Sequence, residues 1–122
     1  MPRTILLVDD NPIIRTLVRH CMASLSEVTI CEEAANGRDG IQKALELKPD
    51  VIVLDFQMPE MDGLEVATVL RQRMPDVPLI LFTLYADEVT ESSARASGIT
   101  AVIDKSNLAR LVRFTKGLLM GT

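Results

Sequence analysis

Five side chains stand out because each follows or closes a short apolar run. Asp9 and Asp10 follow Ile5-Leu6-Leu7-Val8, and Asp55 follows Val51-Ile52-Val53-Leu54. Thr83 closes Pro78-Leu79-Ile80-Leu81-Phe82, and Lys105 ends Ala101-Val102-Ile103-Asp104. Apolar runs this short, rich in β-branched residues and ended by turn formers, read as strands buried on both faces. A carboxylate at the end of such a strand occupies the usual address of a site in an open parallel sheet. There Asp55 can act as a nucleophile that accepts a phosphoryl group. The Thr83 hydroxyl can donate to a phosphate oxygen, and Lys105 supplies a point charge for the same group. Three carboxylates at one buried edge cannot all stay ionised unaided, because like charge and burial both raise their pKa. Protonation relieves this, and so does a bound cation. Oxygen donors without histidine or thiolate favour Mg²⁺.

Each residue also has a plainer structural use. Asp9-Asp10 can cap a helix, Thr83 can be an ordinary β-branched strand residue, and Lys105 can guard a sheet edge. Their joint placement is what points to chemistry. Four strands each end in a group that one phosphoryl-transfer site needs.

For the five to meet, the apolar runs must lie side by side. Val28-Thr29-Ile30-Cys31 supplies one more strand, making five. Helical patterns fill the gaps. Asn11 can cap a helix with Pro12 in its first turn, followed by Ile14, Leu17, Val18, Cys21, Met22 and Leu25 at helical spacing. A second helix follows Asn36-Gly37, marked by Ile41, Ala44, Leu45 and the stem of Lys48, and closed by Pro49. A third starts near Gly63-Leu64, buries Leu64, Ala67 and Leu70, and ends before Pro75. Asp87 to Ser97 is expected as a fourth, anchored by Val89 and stopped by Gly98. Asn107 caps the last, with Leu108, Leu111, Val112, Thr115, Leu118 and Leu119 inward and Arg110, Arg113 and Lys116 outward.

Strict alternation of strand and helix calls for an α/β fold with a parallel sheet and helices on both faces. Several doubly wound orders fit. The flavodoxin-like five-stranded order 2-1-3-4-5, with five helices, is favoured for this length, and it makes strands one and three central neighbours.

Composition narrows the function classes. The 122 residues suit one domain spanning 1–122, 48% are hydrophobic, and only 3% are aromatic, so the core is expected to be aliphatic. A formal charge of −4 offers no electrostatic footprint for direct nucleic-acid contact. No apolar stretch approaches the ~20 residues of a membrane span. Met1-Pro2-Arg3-Thr4 lacks a signal peptide's apolar segment and cleavage site, so a cytoplasmic location is expected. Cys21 and Cys31 read as small semi-buried hydrophobes in a reducing compartment, and His20, the sole histidine, as a solvated helix residue.

The acidic pair Asp9-Asp10, the segment Asp55-Phe56-Gln57-Met58-Pro59-Glu60-Met61-Asp62-Gly63-Leu64-Glu65, Thr83 and Lys105 together resemble the receiver domain of two-component response regulators. The resemblance covers essentially the whole chain. It implies a signalling phosphoprotein that catalyses only its own phosphorylation and dephosphorylation, and is otherwise no enzyme. A histidine kinase or phosphotransfer protein would be the donor, with Mg²⁺ required. By position, Asp55 is the phosphoacceptor and a metal ligand, and Asp10 is a direct ligand. Asp9 holds a metal-bound water, and the Gln57 backbone carbonyl completes the protein ligands. Thr83 and Lys105 bind the phosphoryl group. An output domain or separate target, and a phosphorylation-dependent homodimer, are the partners implied.

Four positions depart from that pattern. Val102 stands where an aromatic whose swing couples to the threonine is usual. Leu84 replaces a small residue and is expected to narrow the entrance to the phosphoryl pocket. Ser106 replaces a proline in cis linkage and should leave a trans bond. Tyr85 occupies a position that tunes acyl-phosphate hydrolysis. Val102 and Leu84 keep a second reading in view: a pseudo-receiver that binds partners independently of phosphorylation. Phosphatases of the haloacid-dehalogenase type are disfavoured because Gln57 stands where a second catalytic aspartate belongs. A flavin-mononucleotide site is disfavoured because Asp9-Asp10-Asn11-Pro12 is no phosphate cradle.

Overall fold

The apolar runs ending in Asp9 and Asp55 pair in parallel, with Ile5 opposite Val51 and Val8 opposite Leu54. They form the centre of one sheet in a computed structural model that describes residues 3–26 and 28–120, without the side chains of residues 29–31. The expectation for Cys31 therefore lies outside the described residues, as do Met1 and Pro2.

The strands are β1 (Arg3–Val8), β2 (Val28–Ala34), β3 (Val51–Leu54), β4 (Leu79–Thr83) and β5 (Ala101–Asp104). All pair in parallel in the order β2-β1-β3-β4-β5, the flavodoxin-like arrangement. Between them run α1 (Pro12–Met22), α2 (Gly37–Leu47), α3 (Gly63–Arg73), a 3-10 turn (Ala86–Glu88) with α4 (Glu91–Ala96), and α5 (Leu108–Met120).

The period-two alternation of each strand sorts the core into two layers. Leu6, Val8, Ile52, Leu54, Leu79 and Leu81 pack with Ala44 of α2, Val66, Ala67 and Leu70 of α3, and Ala94 of α4. Ile5, Leu7, Val51, Val53, Ile80, Phe82 and Ile103 face Val18 and Met22 of α1 and Leu111 and Leu119 of α5. The central strands are buried on both faces, which is why they read as unbroken apolar runs.

The helix starts follow their caps. The Asn11 side chain accepts from Ile13 N and Ile14 N ahead of Pro12. Asn36 accepts from Asp39 N, and Asn107 from Arg110 N. Asp62 and Glu65 exchange a reciprocal capping box at the head of α3.

Four local expectations change. Asp87 to Ser97 is not one helix. Val89 is extended and buried, and the Thr90 hydroxyl accepts from Ser93 N, so a new helix starts at Glu91. Lys48 does not continue α2 but caps it in the left-handed region at φ 50. The buried stripe of α1 is narrower than its apolar spacing, since Leu17 is 43% exposed and only Val18 and Met22 are buried. In α3, Val66 is buried while Leu64 is only half-buried. His20 is exposed, and Cys21 is free and half-buried.

Candidate functional site

Main-chain bonds continue past the strands and align the residues that follow them. Asp9 N donates to Ala34 O at 3.0 Å, Asp55 N to Val8 O at 2.8 Å, and Lys105 N to Thr83 O at 3.0 Å. The C-terminal ends of β1, β3, β4 and β5 thus form one edge. Asp9 and Asp55 are each 6% exposed there, Thr83 is fully buried, and Asp10 is exposed.

The Lys105 ammonium holds the two buried acids together. Its Nζ lies 2.8 Å from Asp9 Oδ2 and 3.1 Å from Asp55 Oδ2. This is a third relief of carboxylate repulsion, which the sequence reading did not foresee, having placed Lys105 only against phosphate. Burial pushes the Asp55 carboxyl above its usual range and the Asp9 charge adds to it. Lys105 and the Phe56 N–H, 2.8 Å from Asp55 Oδ1, offset only part. For Lys105, burial works against the ammonium, but the hydrogen bonds and charges of Asp9 and Asp55 prevail and raise its pKa.

One oxygen from each of Asp9, Asp10 and Asp55 lies within 4.8 Å of the others. With all three ionised, three negative charges face the one positive charge of Lys105, leaving an excess that a divalent cation would balance. The donors are hard oxygens, as Mg²⁺ requires. The residues present fit that ion.

The turn after β3 presses closely on Asp55. Gly63 N donates to Phe56 O at 2.7 Å, and a Cβ on Gly63 would stand 2.2 Å from Asp55 O. Only glycine lets α3 begin so near the strand end.

Thr83 Oγ1 accepts from Tyr85 N at 3.0 Å. The Tyr85 and Phe56 rings meet edge to face at 6.5 Å, so the residues following Thr83 and Asp55 touch. Leu84 is 68% exposed, and Val102 is half-buried against the layer that includes α3 and α4. Gln57 is exposed in the turn beyond Asp55. No peptide bond among the described residues is cis, so Lys105–Ser106 is trans as expected. Hydrogen bonds from Ser106 hold the Asp104 carboxyl below its ordinary range, and one of these runs from Ser106 N to Asp104 Oδ1 at 2.8 Å.

Two residues escaped the sequence reading. Arg15 of α1 donates from Nη1 to the Asp9 carbonyl at 2.6 Å and from Nε to Glu33 Oε1 at 2.9 Å. Glu33 Oε2 also takes Arg19 Nε at 2.7 Å. The available signal was an arginine one turn beyond the acidic pair and an acid on the neighbouring strand, a pairing visible only once strand order is known.

The five-stranded parallel sheet, with acids, hydroxyl and ammonium along its carboxyl edge, is that of a receiver-type signalling domain. The chain belongs to the response regulator receiver domain family, whose model matches residues 5–115. Response regulator protein VraR of Staphylococcus saprophyticus is 32% identical over 119 residues, covering 94% of this chain and 57% of that protein. The nitrate/nitrite response regulator protein NarL of Escherichia coli K12 is 41% identical over 83 residues, covering 68% of this chain and 38% of that protein. The chain thus spans about half the length of the curated relatives it matches. Among solved structures, a LuxR-family two-component response regulator from Aurantimonas superposes with a TM-score of 0.89 at 27% identity, over 99% of this chain and 87% of that one. The receiver domain of AraT from Geobacillus stearothermophilus gives 0.82 at 26% identity, over 99% and 98%.

Proposed function

We propose that this chain is a phosphoacceptor switch. Asp55 takes a phosphoryl group from the phosphohistidine of a sensor histidine kinase or phosphotransfer protein, in a Mg²⁺-dependent reaction, and the chain then presents a changed face to its partner. A carboxylate oxygen of Asp55 forms the new P–O bond as the P–N bond breaks, and the imidazole leaves with its electron pair. The observation that carries this reading is the shared ammonium. Asp55 and Asp9 are buried at a sheet edge and held by Lys105, which can turn to phosphoryl oxygens as negative charge arrives. The Thr83 hydroxyl is the second donor. Asp10, Asp55 and the Gln57 carbonyl would ligate Mg²⁺ directly and Asp9 through water. When bound, the ion offsets repulsion between the donor phosphate and the acids.

Val102 cannot supply an aromatic swing. The edge-to-face pair of Phe56 and Tyr85 supports another route, because their backbone N–H groups bond the side chains of Asp55 and Thr83. A hydroxyl drawn toward phosphate would loosen its bond to Tyr85 N and pass the change to the 3-10 turn and α4. Residues 1–122 form one cytoplasmic receiver domain with any output domain elsewhere, and this domain contacts neither nucleic acid nor membrane. Phosphorylation-dependent pairing would use exposed Arg110, Arg113 and Lys116 of α5 opposite Asp87 and Glu88. Glu91 is already engaged by Arg95 at 2.6 Å.

Incubation with acetyl phosphate and Mg²⁺, read by intact mass, tests the reading. A single phosphoryl adduct lost in Asp55→Asn supports it, and no adduct overturns it. The half-buried Val102 in place of an aromatic favours the second reading, a pseudo-receiver, under which Asp55→Asn would leave partner binding unchanged.

A further inference from the structure

Every polar group of Asp9 is committed. Its N–H donates to Ala34 O, its Oδ1 accepts from Asn11 N at 2.8 Å, and its Oδ2 meets Lys105. Its carbonyl accepts the 2.6 Å bond from Arg15. That carbonyl belongs to the peptide joining Asp9 to Asp10, so its direction fixes where the Asp10 backbone turns. The Asp10 carboxylate is exposed, and among the described residues no side chain holds it in place. Its position near Asp9 and Asp55 is therefore set through its main chain.

Arg15 is itself held. Its side chain is 18% exposed, Nε is bonded to Glu33 Oε1, and Glu33 is gripped from its other oxygen by Arg19. Lys43 Nζ reaches the Glu33 carbonyl at 2.6 Å, tying the same residue to α2. A planar guanidinium with two directed donors transmits this anchoring to the carbonyl in a way that an ammonium cannot.

We propose that Arg15 is a positioning residue for the cation site: by clamping the Asp9 carbonyl between α1 and Glu33 of β2, it holds Asp10 in ligating position. The inference rests on the acidic cluster taking a divalent cation, as proposed above. Arg15 never touches the cation. Groups that orient ligands from outside the coordination sphere commonly change metal affinity by about 10–100-fold when removed.

The sign of the effect separates positioning from simple charge. Arg15 is a cation near the site, so deleting it for electrostatic reasons alone would tighten cation binding. Loss of positioning weakens it. Arg19 provides the matched control, because it carries the same charge to the same Glu33 without contacting Asp9.

The experiment titrates the full chain with Mn²⁺ as the probe and counts free ion by electron paramagnetic resonance. Arg15→Met should raise Kd by about tenfold, Arg15→Lys should fail to restore it, and Arg19→Met should leave it unchanged or lower. Glu33→Gln, which keeps Arg15 but loosens its anchor, should fall between and covers the case in which Arg15→Met does not fold. It should weaken binding more than Glu32→Gln, which removes the same charge from β2 beside Lys43 rather than Arg15. Equal Kd values in wild type, Arg15→Met and Glu33→Gln would overturn the inference while leaving the proposed function intact. Wild-type protein that binds no Mn²⁺ would overturn both.

Discussion

Lys105 Nζ lies 3.1 Å from Asp55 Oδ2 while it also holds Asp9, so one ammonium serves two buried carboxylates. Burial and the neighbouring Asp9 raise the pKa of Asp55 despite Lys105. A carboxyl whose folded-state pKa exceeds its unfolded value supports folding while protonated and opposes it once ionised. Its contribution is fully present below the unfolded pKa and is lost as pH rises through the folded one. Without divalent cation at pH 7, Asp55→Asn should therefore stabilise the chain by about 1 kcal/mol, as relief of strain at a functional site often does. Urea denaturation at pH 7 and near pH 3.5 measures this. The gain should shrink at the lower pH, and a less stable variant at pH 7 would contradict the charge argument.

Leu84 follows Thr83 and is 68% exposed, so shortening it removes bulk near the site without opening a core cavity. Leu84→Ala should speed phosphorylation by acetyl phosphate severalfold, with stability within about 0.5 kcal/mol of wild type. Quenched-flow mass measurements give the rate. An unchanged rate would show that Leu84 does not restrict access.

Thr115 of α5 presents a wholly buried hydroxyl that finds no hydrogen-bond partner among the described residues. Leaving a polar group desolvated and unpaired costs about 1–3 kcal/mol, and an apolar group of the same shape removes the cost. Thr115→Val should raise stability by about 1 kcal/mol, measured by thermal or urea unfolding. The phosphorylation rate should stay unchanged, because the position lies in the layer against α1 and α5, away from the acidic edge. A destabilised variant would mean that the hydroxyl has a partner.

These cases mark what the sequence can carry. The order β2-β1-β3-β4-β5 and the arrival of Asp9, Asp55, Thr83 and Lys105 at one sheet edge were legible because unbroken apolar runs locate buried parallel strands. Parallel strands then bring their carboxyl ends to one edge. That Lys105 grips both acids was not legible, because it depends on how closely twisted strand ends approach. The clamp of Arg15 on the Asp9 carbonyl was hidden for a related reason: an arginine between Ile14 and Thr16 reads as a solvated helix position. The break at Val89-Thr90 was missed because a threonine that caps a short helix looks, in a polar stretch, like one more helical residue. Local signals reached the elements and their order, whereas contacts between elements distant in sequence needed coordinates.

Glu33 is the acid on which the α1–β2 clamp depends, and its titration gives the clamp a pH signature. Burial alone would raise its pKa, but the hydrogen bonds and charges of Arg19 and Arg15 prevail and hold it below the ordinary range. A depressed carboxyl contributes stability above its unfolded pKa of about 4.3 and loses that contribution as pH falls through the folded value. Its side chain is 26% exposed, so screening keeps the gain small, about 0.5–1 kcal/mol for a networked pair near the surface. Glu33→Gln should therefore be less stable than wild type by that amount at pH 7. The gap should hold down to about pH 5 and shrink as pH falls through the folded value, and it should narrow in high salt. Paired urea titrations across that range provide the measurement. A gap that stays constant as pH falls below the unfolded pKa would assign the effect to packing rather than to the ionised clamp.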